Sequence, residues 1–185
     1  MYRDKRMEKN WEKISSKKVF ETKWFYINED RLVTPAGKKV AFYILHKPVG
    51  AVVIPADSFK IHLVRQFRPA VWKYSWEFPM GTAGDRPAGE VAEIELREET
   101  GFRARQWTHI GSLVGAPGTS AQKGEVYLAE GLIAGEPARE IGEEDMELQS
   151  FTEAEIDAMI SRGEIFDGWT ITSWYFYKQY LAHKK

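Results

Sequence analysis

From Gly50 to Pro55 the chain reads Gly-Ala-Val-Val-Ile-Pro, an apolar run with no polar alternation. Such a run suits a strand covered on both faces, and therefore a sheet lying between helices. Val19 to Thr34, Lys38 to His46 and Lys60 to Phe67 are rich in β-branched and aromatic residues, with turn cues at Pro35-Ala36-Gly37 and Lys47-Pro48. They read as further strands. A second strand series follows Gly101, with Gly124 to Leu132 and Met146 to Phe151 its clearest members.

Between and after the strands the apolar period changes from two to about 3.6 residues, and three helices are predicted. The first runs from Pro87 to Thr100, opened by Asp85 and Pro87 and stopped by Gly101. The second starts at Thr152, whose spacing to Glu155 is that of a capping box, and ends near Arg162. The third, Thr170 to Ala182, carries an aromatic stripe. Strands mixed with helices give an α/β fold, and no repeat, low-complexity tract or interdomain linker interrupts it.

The first helix carries an anomaly. Projected at about 100° per residue, Glu95, Glu98 and Glu99 share an arc with Ala88, Val91 and Ala92, the side that faces the protein. Glu90, Glu93 and Arg97 fall on the opposite, solvated side. Three carboxylates at i, i+3 and i+4 can reach one point. Beside small apolar residues they lose hydration and repel one another, which calls for a divalent cation or several donors. The alternative is that they splay to solvent at the edge of the apolar stripe.

Composition narrows the chemistry. At 185 residues with 43% hydrophobic and 29% charged residues, the chain is an ordinary globular sequence with room for one domain. A formal net charge of −1 gives no electrostatic footprint for nucleic acid. With no cysteine, any metal is held by oxygen or by the histidines, and His46, His62, His109 and His183 lack ligand spacing. Oxygen ligands favour Mg²⁺, Mn²⁺ or Ca²⁺. Met1 to Asn10 lack the apolar run of a signal peptide and no stretch is long enough for a membrane span, so a cytoplasmic protein is expected. Neither a phosphate-binding Gly-rich loop nor a Gly-x-Ser-x-Gly elbow occurs.

Gly81 followed by Glu95-Leu96-Arg97-Glu98-Glu99-Thr100-Gly101-Phe102 resembles the Nudix box. The resemblance covers most of the chain. It is closest to the ADP-ribose pyrophosphatases, through Val64-Arg65-Gln66-Phe67-Arg68, Trp76-Glu77-Phe78-Pro79-Met80-Gly81, Pro117-Gly118-Thr119-Ser120 and Gly163-Glu164-Ile165-Phe166-Asp167. Pro117, sixteen residues after Gly101, is a subfamily mark for ADP-ribose. Two departures stand out: Ile94 replaces the box arginine, and the Gly81-to-Gly101 spacing is one residue short, without the first box glutamate. They bear on loop geometry and rate more than on metal binding.

The resemblance implies a Nudix α/β/α sandwich with a mixed central sheet and an N-terminal β-rich dimerisation segment, residues 1–48 before a hydrolase part at 49–185. It implies Mg²⁺-dependent cleavage of the diphosphate in ADP-ribose or a related nucleoside diphosphate sugar, with Mn²⁺ a substitute and Ca²⁺ an inhibitor. GDP-mannose or another nucleotide sugar, or a catalytically weak nucleotide-binding protein, are the alternatives. Glu95, Glu99 and the Met80 carbonyl would hold the first ion, and Glu98 would share a second. Glu77 would be an auxiliary metal or substrate carboxylate. The general base would come from Gly142-Glu143-Glu144-Asp145, with Glu144 preferred to Glu143, unless this run is a solvated turn. Arg68 would contact phosphate or ribose, or else be an ordinary strand-end charge. Trp24 and Phe42, from the two subunits of a homodimer, would sandwich the base, with Tyr43 where a base-reading acid stands in similar enzymes.

Overall fold

The computed structural model describes residues 10–82, 84–139 and 141–184; the mixed-charge start of the chain, through residue 9, lies outside them. The chain divides into two compact units, Met1–Pro48 with Ala116–Gln122, and Val49–Gly115 with Lys123–Lys185.

In the first unit, β1 (Glu12–Glu21), β2 (Tyr26–Val33) and β3 (Lys39–His46) form an antiparallel sheet in that order. The sequence predicted one strand from Val19 to Thr34, and the structure breaks it into two arms of a hairpin. Thr22 makes the turn: its Oγ1 accepts the N–H groups of Trp24 (3.1 Å) and Phe25 (3.2 Å), which pulls the aromatic run out of the ladder. Every residue of β1 is exposed, so no alternation marked its start. Asp30 of β2 is buried, with Lys13 Nζ and Ser16 Oγ both at 2.5 Å. These donors hold its carboxyl below the ordinary value despite burial. Ala116–Gln122 joins β3 through Leu45, whose N–H donates to the Thr119 carbonyl (2.9 Å) and whose carbonyl accepts from Ala121 (2.9 Å).

The second unit holds β4 (Gly50–Asp57), β5 (Lys60–Arg68), β6 (Lys73–Glu77), β7 (Met80–Gly81), α1 (Ala88–Thr100), β8 (Arg103–Val114), β9 (Lys123–Ile133), β10 (Glu147–Phe151), α2 (Glu153–Arg162) and α3 (Gly168–His183). The sheet runs β10-β5-β4-β9-β8, with β6 on β5 and β7 on β4. It is mixed, because β4 and β9 pair in parallel while the other ladders are antiparallel.

β4 is covered on both faces, as its apolar run predicts. Ala51 and Val53 meet Val91, Ala92 and Leu96 of α1, while Val52 and Ile54 meet Ile156 of α2 and Trp174 and Tyr177 of α3. The result is an α/β/α sandwich with two cores, one on each side of the central strands. Truncating the fully buried Leu96 to Ala would cost about 2–5 kcal/mol.

The helix ends show which local signals act. Thr152 and Glu155 form the reciprocal capping box of α2. Gly101 ends α1 in the left-handed region at φ 77°, and a Cβ there would strike the Gly135 carbonyl. The N-cap of α1 is Pro87 with no side-chain hydrogen bond, so Asp85 does not cap this helix. At the start of α3 the Trp169 ring lies over Gly50 of β4, Gly124 of β9 and Gly115 just past β8, where a Cβ would overlap it at each position.

Candidate active site

α1 sorts its glutamates as the helical projection predicts. Glu99 is buried (2% exposed) among Val91, Ala92 and Leu96, whereas Glu93 and Arg97 are exposed. Glu95 and Glu98 are partly covered, and Glu98 stands 3.4 Å from Arg97. Below the helix, β7 pairs with β4, Gly81 opposite Ala51. The Glu95 carboxylate lies against Gly81 where any Cβ would overlap it, so this glycine clears space for a carboxylate.

Burial pushes the Glu99 carboxyl well above the usual range, and the charges of Glu95 and Glu143 push the same way. A backbone hydrogen bond from Met80 and the Arg68 guanidinium pull in the opposite direction and do not offset them. Glu99 Oε2 is buried without a hydrogen-bond partner. Such an oxygen among like charges calls for a proton or a cation. As the side chains stand, no three His, Asp or Glu among the described residues are arranged to hold a metal ion. Two expected carboxylates are engaged elsewhere, Glu98 with Arg97 and Glu77 with Arg68.

The Arg68 and Glu77 pairing is a fork. Arg68 Nε reaches both Glu77 oxygens at 3.0 Å, and Nη2 donates to Oε2 as well. Burial works against the Arg68 charge, but Glu77 outweighs it, with Asp167 and Glu99 adding to the same effect, and holds the guanidinium above its ordinary value. Asp167 ends the Gly163-Glu164-Ile165-Phe166-Asp167 segment noted in the sequence but was given no role of its own. Its Oδ2 accepts from the Thr170 N–H (2.7 Å) as the N-cap of α3, and the Asp-x-x-Thr spacing is the signal that could have found it. Thr170 is itself buried and accepts the Phe78 N–H (3.2 Å), tying the start of α3 to the segment between Glu77 and Met80.

The two glutamates of the acidic loop have different surroundings. Glu143 is close enough to Glu99 for its charge to be felt there. Glu144 is exposed and accepts the Gly142 N–H at 2.8 Å, so it closes its own turn. A cleft of about 560 Å³ opens between Arg68 and Phe67 on one wall and Glu143 and Asp145 on the other.

In the first unit, Phe42 and Pro117 line a common groove of about 410 Å³ with Trp11, Leu32 and Ile44. Phe42 is 41% exposed and meets Trp11 edge-on, with ring centroids 6.3 Å apart. Trp24 is outside that groove, in the turn between β1 and β2, and 61% exposed. Tyr43 donates its hydroxyl to Glu29 (3.1 Å).

Known proteins resemble this chain in sequence and in fold. The chain is 34% identical over 163 residues to the ADP-ribose pyrophosphatase of Mycobacterium tuberculosis, covering 85% of this chain and 78% of that protein. It is 31% identical over 164 residues to the ADP-ribose pyrophosphatase of Bacillus subtilis, covering 85% and 86% respectively. A crystal structure of an ADP compounds hydrolase shares the fold, with a TM-score of 0.82 over 95% of this chain and 96% of that one, at 17% identity. No family model matches the chain.

Proposed function

The chain belongs to the Nudix hydrolases of the ADP-ribose pyrophosphatase group, and from that premise we propose that it hydrolyses ADP-ribose, or a related nucleoside diphosphate sugar, with Mg²⁺. The products are a nucleoside monophosphate and a sugar phosphate. The observation that carries this reading is the buried Glu99 carboxylate, one oxygen unpartnered, beneath the charges of Glu95 and Glu143.

That donor set fits a hard divalent cation. Glu99, Glu95 and the Met80 carbonyl would hold it, with Glu98 joining by a rotamer change away from Arg97. Held there, Mg²⁺, or Mn²⁺ in its place, would supply neutralisation of phosphate charge and activation of water. The chain's own residues do the remainder. Glu143 accepts the proton of the attacking water, with Glu144 supporting the loop through Gly142. Arg68, held by the Glu77 fork, presents its outer N–H groups to phosphate or ribose.

Trp24, Phe42 and Pro117 belong to the first unit, which we assign the base-holding and dimerisation role. Trp11, Phe20, Trp24 and Tyr43 are each close to half exposed or more, an apolar surface suited to a second copy of this chain. No helix among the described residues is long and apolar enough to cross a membrane, and the reading places the reaction in the cytoplasm.

The test is a panel of ADP-ribose, GDP-mannose and other nucleotide sugars with Mg²⁺, Mn²⁺ or a chelator. AMP release from ADP-ribose should be the most efficient and should stop with the chelator. Failure of every substrate to yield a nucleoside monophosphate overturns the reading. A second reading, nucleotide binding with little turnover, is favoured by Ile94 in the position of the box arginine and predicts thermal stabilisation by ADP-ribose without product.

A further inference from the structure

We propose that Tyr74 and Asp145 form a latch that sets the position of Glu143, making Tyr74 a positioning residue for the hydrolysis proposed above, on which its catalytic part rests. Tyr74 lies on β6 and Asp145 in the loop before β10, yet the phenol donates to Asp145 Oδ2 at 2.5 Å. The hydrogen bond spans 71 positions of sequence and joins the two walls of the cleft that separates Arg68 from Glu143.

The tyrosine is a fixed post. Its register partner on β5 is Phe67, and the two rings lie 5.4 Å apart. On the same strand the Arg65 guanidinium sits 4.6 Å from the Tyr74 ring centroid. Arg65 also bonds Glu147 at 2.7 Å, directly across the β10–β5 ladder. Strands β5 and β6 therefore hold the chain at Asp145 and again at Glu147, and the buried Met146 side chain between them pins that end to the core.

Before the loop the chain is tied to α1 at Ala138, whose N–H donates to the Glu98 carbonyl (2.9 Å), and at Arg139, whose Nε donates to the Glu99 carbonyl (3.4 Å). Ile141 is 99% exposed, and Gly142 adopts φ 96°. Two bonds close the turn: the Met146 N–H donates to the Glu143 carbonyl (3.0 Å), and Glu144 accepts the Gly142 N–H (2.8 Å). The Tyr74 bond at Asp145 falls two residues from Glu143, nearer than the ties at Ala138 and Arg139, and so restrains the turn that carries Glu143. Displacement of a general base by about 1 Å costs up to about a hundredfold in rate, far more than it costs in stability.

Steady-state kinetics and amide hydrogen exchange test the latch in the full-length protein with Mg²⁺ and ADP-ribose. Tyr74→Phe and Asp145→Ala should each lower kcat about tenfold while KM moves less than about twofold, and should speed exchange at residues 142–145. Asp145→Asn keeps an acceptor oxygen and should retain most of the rate. In a Glu143→Gln background Tyr74→Phe should add no further loss. Unchanged kcat and exchange in both Tyr74→Phe and Asp145→Ala overturn the latch, and so does a Tyr74→Phe loss that persists without Glu143. If the wild-type protein turns over no nucleotide sugar, the functional reading falls and exchange at 142–145 alone decides whether the latch exists.

Discussion

Arg68 and Glu77, nine positions apart, meet as a forked ion pair in which the carboxylate is 1% exposed and the guanidinium side chain 38%. The pair is therefore asymmetric, since Arg68 can turn to water and Glu77 cannot. Arg68→Ala strands a buried charge and should cost about 3 kcal/mol, the low end for a broken buried pair because solvent screens the outer partner. Glu77→Gln should cost about 1 kcal/mol. Urea unfolding of both variants checks this, and a larger loss for Glu77→Gln would show that the pair is held from the arginine side.

Glu99→Gln should separate stability from function. Removing a buried carboxyl crowded by Glu95 and Glu143 should raise the melting temperature of the chelator-treated protein by about 2–4 °C. The same change should abolish stabilisation by Mg²⁺ and reduce kcat by about a hundredfold or more. Thermal scans with chelator and with Mg²⁺ read both effects. A variant that still gains stability from Mg²⁺ would remove Glu99 from the metal site.

The acidic loop makes a directional prediction. Glu143→Gln should lower kcat by about 10²–10³-fold, whereas Glu144→Gln should leave kcat within about threefold, because Glu144 closes the turn at Gly142. Equal losses in the two variants would assign the base to the loop as a whole, and a greater loss at Glu144 would reverse the assignment.

Trp169 supplies a packing test. Gly124→Ala places a methyl group 2.5 Å from the Trp169 ring, and overpacking of this kind costs about 1–3 kcal/mol. The same substitution in a Trp169→Ala background should cost less than about 0.5 kcal/mol, since the obstacle is gone. Additive losses in the double variant would mean that the glycine is needed for its backbone rather than for the indole above it.

His62 gives a pH prediction. Burial, with the ring edge-on to Phe102 at 4.7 Å, lowers its pKa below the ordinary 6.5, while Asp57 only partly offsets this. The unfolded chain then binds the proton more readily than the folded one, so His62 favours unfolding as pH falls below about 6.5. The urea midpoint of the wild type should drop more between pH 7.5 and pH 5.5, an interval chosen to span about one unit either side of that value, than that of His62→Gln. Parallel profiles would show that the ring is solvated in both states.

Much of the second unit was legible because its signals are local or periodic. The apolar run of β4, the capping box at Thr152 and Glu155, the stop at Gly101 and the arc of Glu95 and Glu99 all depend on residues within a few positions of one another. The first strand was not, because β1 buries no face and has no period to read. The hairpin turn was hidden by aromatic residues that resemble strand, and only the Thr22 hydroxyl marks it. The fork on Glu77 and the Tyr74 to Asp145 bond join residues from different elements, where composition carries no trace of pairing.

The parallel pairing of β4 with β9 also has a meaning for biosynthesis. Gly50 pairs with Gly124, so the most apolar strand of the chain leaves the ribosome long before the strand that completes its parallel edge, with β5 to β8 and α1 still to be made. Contacts so distant in sequence form slowly, and an unpaired apolar edge invites association with other chains in the meantime. Synthesis rate and chaperone access should therefore govern the yield of folded protein more than the stability of the finished sheet does.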